Sequence, residues 1–150
     1  MKTNFSIKSA VISGVIATAA MTMFTFLAPL MGIKMDIPAM LASTMGAPVI
    51  VGWAAHFMIG VALAISYGAI FLSTTKQSAG IKSGAIFSVL PWAMAQLIVM
   101  PMMSLMSGSS YAARLFSGSI IVAMASLMGH LLFGVVLGKL YSLASLRSKE

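Results

Sequence analysis

Four long intervals of the chain carry no charged residue: 9–33, 37–75, 83–113 and 115–138. Crossing a bilayer takes about 20 apolar residues, so each interval has room for one crossing, and the second also has room for a loop. Hydrocarbon offers no partners to backbone N–H and C=O groups. A crossing segment must therefore satisfy them internally, and with no short alternating strands in sight that means helix. Only 7% of the 150 residues are charged and 60% are hydrophobic, against roughly 25% charged in a soluble domain. Too few charges exist to cover a water-facing surface. We expect an all-α integral membrane protein, one transmembrane domain whose four-helix bundle has helices near 10–31, 48–72, 83–106 and 117–141.

The basic residues set an orientation. Lys2, Lys8, Lys76, Lys82, Lys139, Arg147 and Lys149 fall on one side of the four crossings, and only Lys34 and Arg114 on the other. The bias of Lys and Arg toward the cytoplasm makes both termini cytoplasmic. It also accounts for the net charge of +7 without a nucleic-acid partner. Lys2 and Lys8, the apolar run behind them and Ala17-Thr18-Ala19 have the form of a secretory signal. We expect this segment to be retained, because it has a counterpart later in the chain.

That counterpart belongs to a repeat. HFMIGVALAISY, from His56 to Tyr67, returns as HLLFGVVLGKLY, from His130 to Tyr141. The copies share His56/His130, Gly60/Gly134, Val61/Val135, Leu63/Leu137 and Tyr67/Tyr141, and these two histidines are the only ones in the chain. A looser match joins Ser13-Gly14 to Ser83-Gly84 and Pro29 to Pro101. The expected architecture is two helical hairpins, about 9–75 and 82–142, repeated in parallel about an axis along the membrane normal. Gly52, His56 and Gly60 then share one helix face, as do Ser126, His130 and Gly134. The small residues leave space beside each imidazole, to be filled by a neighbouring helix or by a flat ligand.

Ionisable groups inside membrane spans are costly and are functional candidates by default. Three readings of the histidines compete. In the first, each imidazole simply hydrogen-bonds to a neighbouring helix, and the chain is a structural subunit of a larger membrane complex or a homo-oligomer. In the second, His56 and His130 are the axial ligands of a haem b, Gly60 and Gly134 leave room for it, and Lys34 and Arg114, the only far-side cations, meet its propionates. The third is copper: the chain has 15 Met, Met102/Met106 and Met124/Met128 stand at i, i+4, and thioethers with imidazole suit Cu(I). Methionine is equally a flexible filler of apolar gaps.

Other chemistry is scarce. With no cysteine, and with Asp36 and Glu150 as the only acids, thiolate and carboxylate-pair catalysis are excluded within the chain. No Gly-rich phosphate loop, nucleophile elbow or HExxH motif occurs, which leaves electron transfer as the most that the chain would carry out. Asp36 reads as the cap of a short interfacial helix over about 38–45. Thr18, Thr22 and Thr25 should bond to their own backbone carbonyls or a partner helix. Pro91 should kink the third span, and Gln96 should bond between helices. Trp53 reads as an anchor at the outer interface, and Tyr67 and Tyr141 as anchors at the inner one.

Met35-Asp36-Ile37-Pro38-Ala39-Met40-Leu41, Gly52-Trp53 followed by His56-Phe57-Met58-Ile59-Gly60, and Met100-Pro101-Met102 resemble a family of small bacterial multi-pass membrane proteins of unknown function. The resemblance covers most of the chain. It implies four helices and a bacterial inner membrane, and it brings neither an activity nor functional residues.

Overall fold

The computed structural model describes residues 5–33 and 35–147, and among them no strand occurs. The long helices are α1 (Ile7–Leu27), α3 (Val49–Thr75), α4 (Ile81–Met106) and α5 (Ile120–Arg147), with a short α2 (Ile37–Thr44) between the first two. Each of the four long helices is long and apolar enough to cross a membrane. The helix ends follow local chemistry. Ser6 caps α1 by accepting the Ser9 N–H, and a 3-10 turn at Ala28–Met31 closes it. Asp36 Oδ1 accepts the Ala39 N–H at 2.9 Å and caps α2, as expected. The third span runs to Met106 as expected, whereas α3 continues past residue 72 to Thr75.

The largest departure is the start of α5. Helix was expected from 117 and begins at Ile120. Phe116 (φ 48°) and Ser117 (φ 59°) lie in the left-handed region, which no L-residue helix uses. They end a 3-10 segment, Tyr111–Gly118, that folds back against α4: Tyr111 Oη donates to the Leu97 carbonyl, and Ser117 Oγ donates to Gln96 Oε1.

Within α1 the buried residues are Ser9, Ala10, Ser13, Gly14, Ala17, Thr18, Met21, Thr22 and Thr25. They recur at three- and four-residue steps and are mostly small. Val11, Ile12, Val15, Ile16 and Phe26 are exposed. Large apolar residues therefore face outward and small ones inward, as expected where lipid is the solvent and association relies on close packing. Thr18, Thr22 and Thr25 return their hydroxyls to the carbonyls of Gly14, Thr18 and Thr22, each at 2.7 Å.

Helix α1 packs on both α3 and α5, α4 packs on α5, and α2 lies on α3. Glycine makes these contacts close. A Cβ on Gly60 would collide with Thr18 on α1, and one on Gly134 would collide with Gly84 and Ser88 on α4. Gly14 faces Gly60 and Ala64, just as Gly84 faces Gly134 and Gly138. The two halves thus use corresponding residues for corresponding contacts. A Cβ on Gly52 would likewise meet Pro38 and Ala42 of α2.

The tyrosines depart from expectation. Tyr67 and Tyr141 are both 0% exposed and meet edge-to-face at 5.7 Å; they are core residues, not interfacial anchors. Tyr67 Oη accepts the N–H of Gly80, which caps α4, and Tyr141 Oη accepts the N–H of Ser6, which caps α1. Each tyrosine thereby ties its own helix to the start of the first helix of the other half. These ties lie at the end of the molecule where Lys8, Lys76, Lys82 and Lys139 are exposed; we call it the basic end. The α2 side is the far end. Trp53 is half-buried, with Phe26 and Phe57 rings 6.2 and 6.3 Å away.

These contacts separate two kinds of glycine. Gly84→Ala should destabilise the protein by about 1–3 kcal/mol, because the new methyl meets backbone that has no rotamer to change. Gly129→Ala meets only Met21 and Phe24 side-chain atoms at 3.6–3.7 Å and should be neutral or stabilising. Thermal unfolding in detergent checks the contrast.

Candidate functional site

Pro91 has no N–H to offer the helix one turn back, and its ring crowds that turn. Helix α4 continues through a π-helical turn at Ala95–Val99, and α3 has its own at Tyr67–Phe71. Such turns re-aim the residues around them and recur at functional sites. Here α3 meets α4 at the basic end, through Tyr67 and Phe71 against Phe87 at 5.3 Å and a 2.7 Å bond between Tyr67 Oη and Ser83 Oγ. Toward the far end the two helices part around a cavity of about 400 Å³. This falls within the usual size of small-molecule sites, about 300–1,000 Å³.

Both histidines line this cavity. Their hydrogen-bond partners fix their tautomers. His130 Nδ1 lies 2.8 Å from the Ser126 carbonyl oxygen. A carbonyl only accepts, so Nδ1 carries the proton and Nε2 is bare. His56 Nε2 lies 3.0 Å from Thr22 Oγ1, and that hydroxyl already gives its one proton to the Thr18 carbonyl. Nε2 of His56 must therefore donate, leaving Nδ1 bare. Neither bare nitrogen is sealed without a partner in the interior. Each imidazole thus keeps one unprotonated nitrogen that is not sealed inside the protein.

A polar chain supports His130. Ser117 Oγ donates to Gln96 Oε1 at 2.7 Å, and Gln96 Nε2 donates to Ser126 Oγ at 3.1 Å. Ser126 supplies the carbonyl that holds the His130 ring. Gln96 is 1% exposed and bonds between helices as expected. Trp92 Nε1, on the preceding turn, bonds the Ala123 carbonyl at 3.0 Å. The part played by Ser117 was not legible in the sequence, because it depends on the left-handed turn that precedes α5.

The other expected site residues divide. Gly60 lines the cavity, but the space next to it is taken by Thr18. Gly134 is not among the lining residues; Gly84 and Ser88 of α4 fill the space expected for a ligand. Arg114 is exposed at the far rim of the cavity, with Asp36 also on the lining. Lys34 lies outside the described residues. Met102, Met106, Met124 and Met128 are all exposed on the outer faces of their helices and none lines the cavity. The methionines that do line it include Met21, Met40, Met94, Met100 and Met103. Their positions depend on how α2, α3 and α4 part, which helical spacing alone does not reveal. Among the described residues no third His, Cys, Asp or Glu joins the two imidazoles in a ligand cluster.

Four helices long and apolar enough to cross a membrane, and a cavity with two imidazoles on its wall, define the class: a small all-α protein of membrane type. The model of a family of unknown function, DUF6789, matches residues 5–150. The chain belongs to that family, which agrees with the resemblance to an uncharacterised family noted above. No curated protein and no solved structure matches the chain.

The Thr22–His56 bond is open to a direct test. Thr22→Val leaves a buried donor unpaired and should destabilise the protein by about 1–3 kcal/mol. The same change should cost much less in a His56→Phe background, where no donor is left. A double-mutant cycle read by thermal unfolding measures the difference.

Proposed function

We propose that this protein is a small b-type cytochrome that holds one haem b between His56 and His130 and passes electrons within the membrane. The observation that carries the reading is the pair of histidines on the wall of one cavity, each with one unprotonated ring nitrogen. A site with two protein ligands suits an iron whose other four ligands come from a porphyrin. His130 offers Nε2 as it stands, with Nδ1–H held by a carbonyl, the usual support for a metal-bound imidazole. For His56 to coordinate through Nε2, its ring must release Thr22 and move its proton to Nδ1. Arg114 at the rim supplies a cation for a propionate.

In this reading the helices form a four-helix bundle of two parallel hairpins in a bacterial inner membrane. The basic end and both termini face the cytoplasm, following the distribution of Lys and Arg, and the haem lies toward the far side. A second reading has its own support: the methionines on the cavity wall, Met40, Met100 and Met103 among them, could join the imidazoles around Cu(I).

Expression with ample haem supply, followed by a visible spectrum of the detergent-purified protein, separates the two. Bis-histidine haem b gives a sharp Soret band and resolved bands on reduction, and His56→Ala and His130→Ala should each abolish that spectrum. A folded protein without haem overturns the first reading. Copper found by metal analysis, and lost in Met103→Leu, would establish the second. Absence of both, with copurification of a larger membrane complex, would mark a structural subunit.

A further inference from the structure

The long helices of the two halves make corresponding glycine contacts within each half, but the two seams between the halves differ. Helix α1 packs on α5 along its length; the corresponding pair, α4 and α3, packs only at the basic end. In the closed seam Met21 and Phe24 lie on Gly129. By the spacing of the repeat, Pro91, Met94 and Ala55 hold the corresponding positions in the other seam. There the proline and the π-helical turn leave α4 apart from α3.

The parted seam opens sideways. Ile59 on α3 and Met94 and Val99 on α4 line the cavity, yet are 48%, 48% and 44% exposed. They form the two lips of a slot on the flank of the helices, where a bilayer would lie. Phe133 and Leu63 form the apolar floor toward the basic end. At the far rim stands Arg114, exposed and without an ion pair among the described residues. Asp36 shares the rim, but its carboxylate is held by the α2 N-terminus, whose positive end offsets its charge.

We propose that the slot takes an amphiphile directly from the bilayer: the apolar body slides sideways between α3 and α4, and an anionic head group stops at Arg114. Apolar lips and floor, with Arg114 the one cation on the lining among the described residues, match such a molecule in polarity and charge. Anionic phospholipid and haem, with its propionates, share this chemistry. The slot does not depend on the haem reading, because it is defined by residues other than the histidines.

The test uses haem-free protein in vesicles of phosphatidylcholine with phosphatidylglycerol, either lipid carrying a photoreactive diazirine on its acyl chain. After illumination, mass spectrometry should find adducts on the cavity floor, at Phe133 or Leu63, as well as on exposed Leu90. Ala95→Trp places a large ring in the slot and should cut the floor adducts about tenfold relative to Leu90, equal to about 1.4 kcal/mol. Arg114→Gln should lower floor labelling by phosphatidylglycerol about threefold, the worth of one exposed ion pair, and leave that by phosphatidylcholine unchanged. Circular dichroism shows that the variants fold. Labelling confined to Leu90, or floor labelling unaffected by Ala95→Trp, overturns the slot. Equal effects of Arg114→Gln on both lipids overturn the anionic head group. Added haemin that suppresses floor labelling identifies haem as a competitor for the same slot; haemin without effect excludes haem from it. Because His56 and His130 line the same cavity, that exclusion would overturn the haem reading while the lipid labelling still supports the slot.

Discussion

Backbone-to-backbone contact at glycine is the interaction on which the rest of this protein depends. In lipid, apolar side chains gain little by leaving one apolar surroundings for another, so helices associate through close packing and polar contacts. Gly14 against Gly60, and Gly84 against Gly134 and Gly138, bring the helices close enough for this. The same approach sets Thr22 within reach of His56 and Gln96 within reach of Ser126. A side chain at any of those glycines would move two helices and strain the interhelical bonds of Thr22 with His56 and of Gln96 with Ser126.

Where that contact fails, the cavity begins. Three pairs of long helices, α1–α3, α4–α5 and α1–α5, are joined through small residues, and the fourth pair meets through large aromatic rings at one end only. Tyr67, Phe71 and Phe87 hold α3 and α4 apart as much as together. Above them Pro91 and the π-helical turn of α4 keep the helices from closing. Space in a close-packed protein normally costs stability. Here the parted seam carries a cavity with both histidines on its wall.

Much of this was legible in the sequence, for reasons that can be named. Charge-free intervals point to crossings because a buried charge is expensive, and four helices long and apolar enough to cross stand where four were expected. The Asp36 cap, the threonine back-bonds and the interhelical bond of Gln96 are local or follow from helical spacing. What escaped is long-range. Gly134 looked like room for a ligand, and only the path of α4 reveals that Gly84 fills it. Tyr67 and Tyr141 looked like interfacial anchors because aromatic residues near span ends usually are; their pairing depends on a crossing between halves. The copper candidates Met102, Met106, Met124 and Met128 satisfied i, i+4 spacing, which says two residues share a face and not which way that face points.

The histidines themselves are equivalent in sequence and unlike in structure. The repeat sets Thr22 of α1 in correspondence with Trp92 of α4, and Gly52 with Ser126. Thr22 presents a hydroxyl oxygen that can only accept, so His56 is protonated on Nε2 and held by a neighbouring helix. Trp92 presents a donor, which is spent on the Ala123 carbonyl, so His130 turns to its own helix and is protonated on Nδ1. One ring is fixed from outside its helix and the other from within, and the second leaves Nε2 unprotonated. A ligand entering between α3 and α4, as proposed, would therefore meet two different acceptors. The asymmetry that opens the seam also makes the two ends of the site chemically distinct, so a flat ligand bound between them would have a defined orientation from the moment it enters.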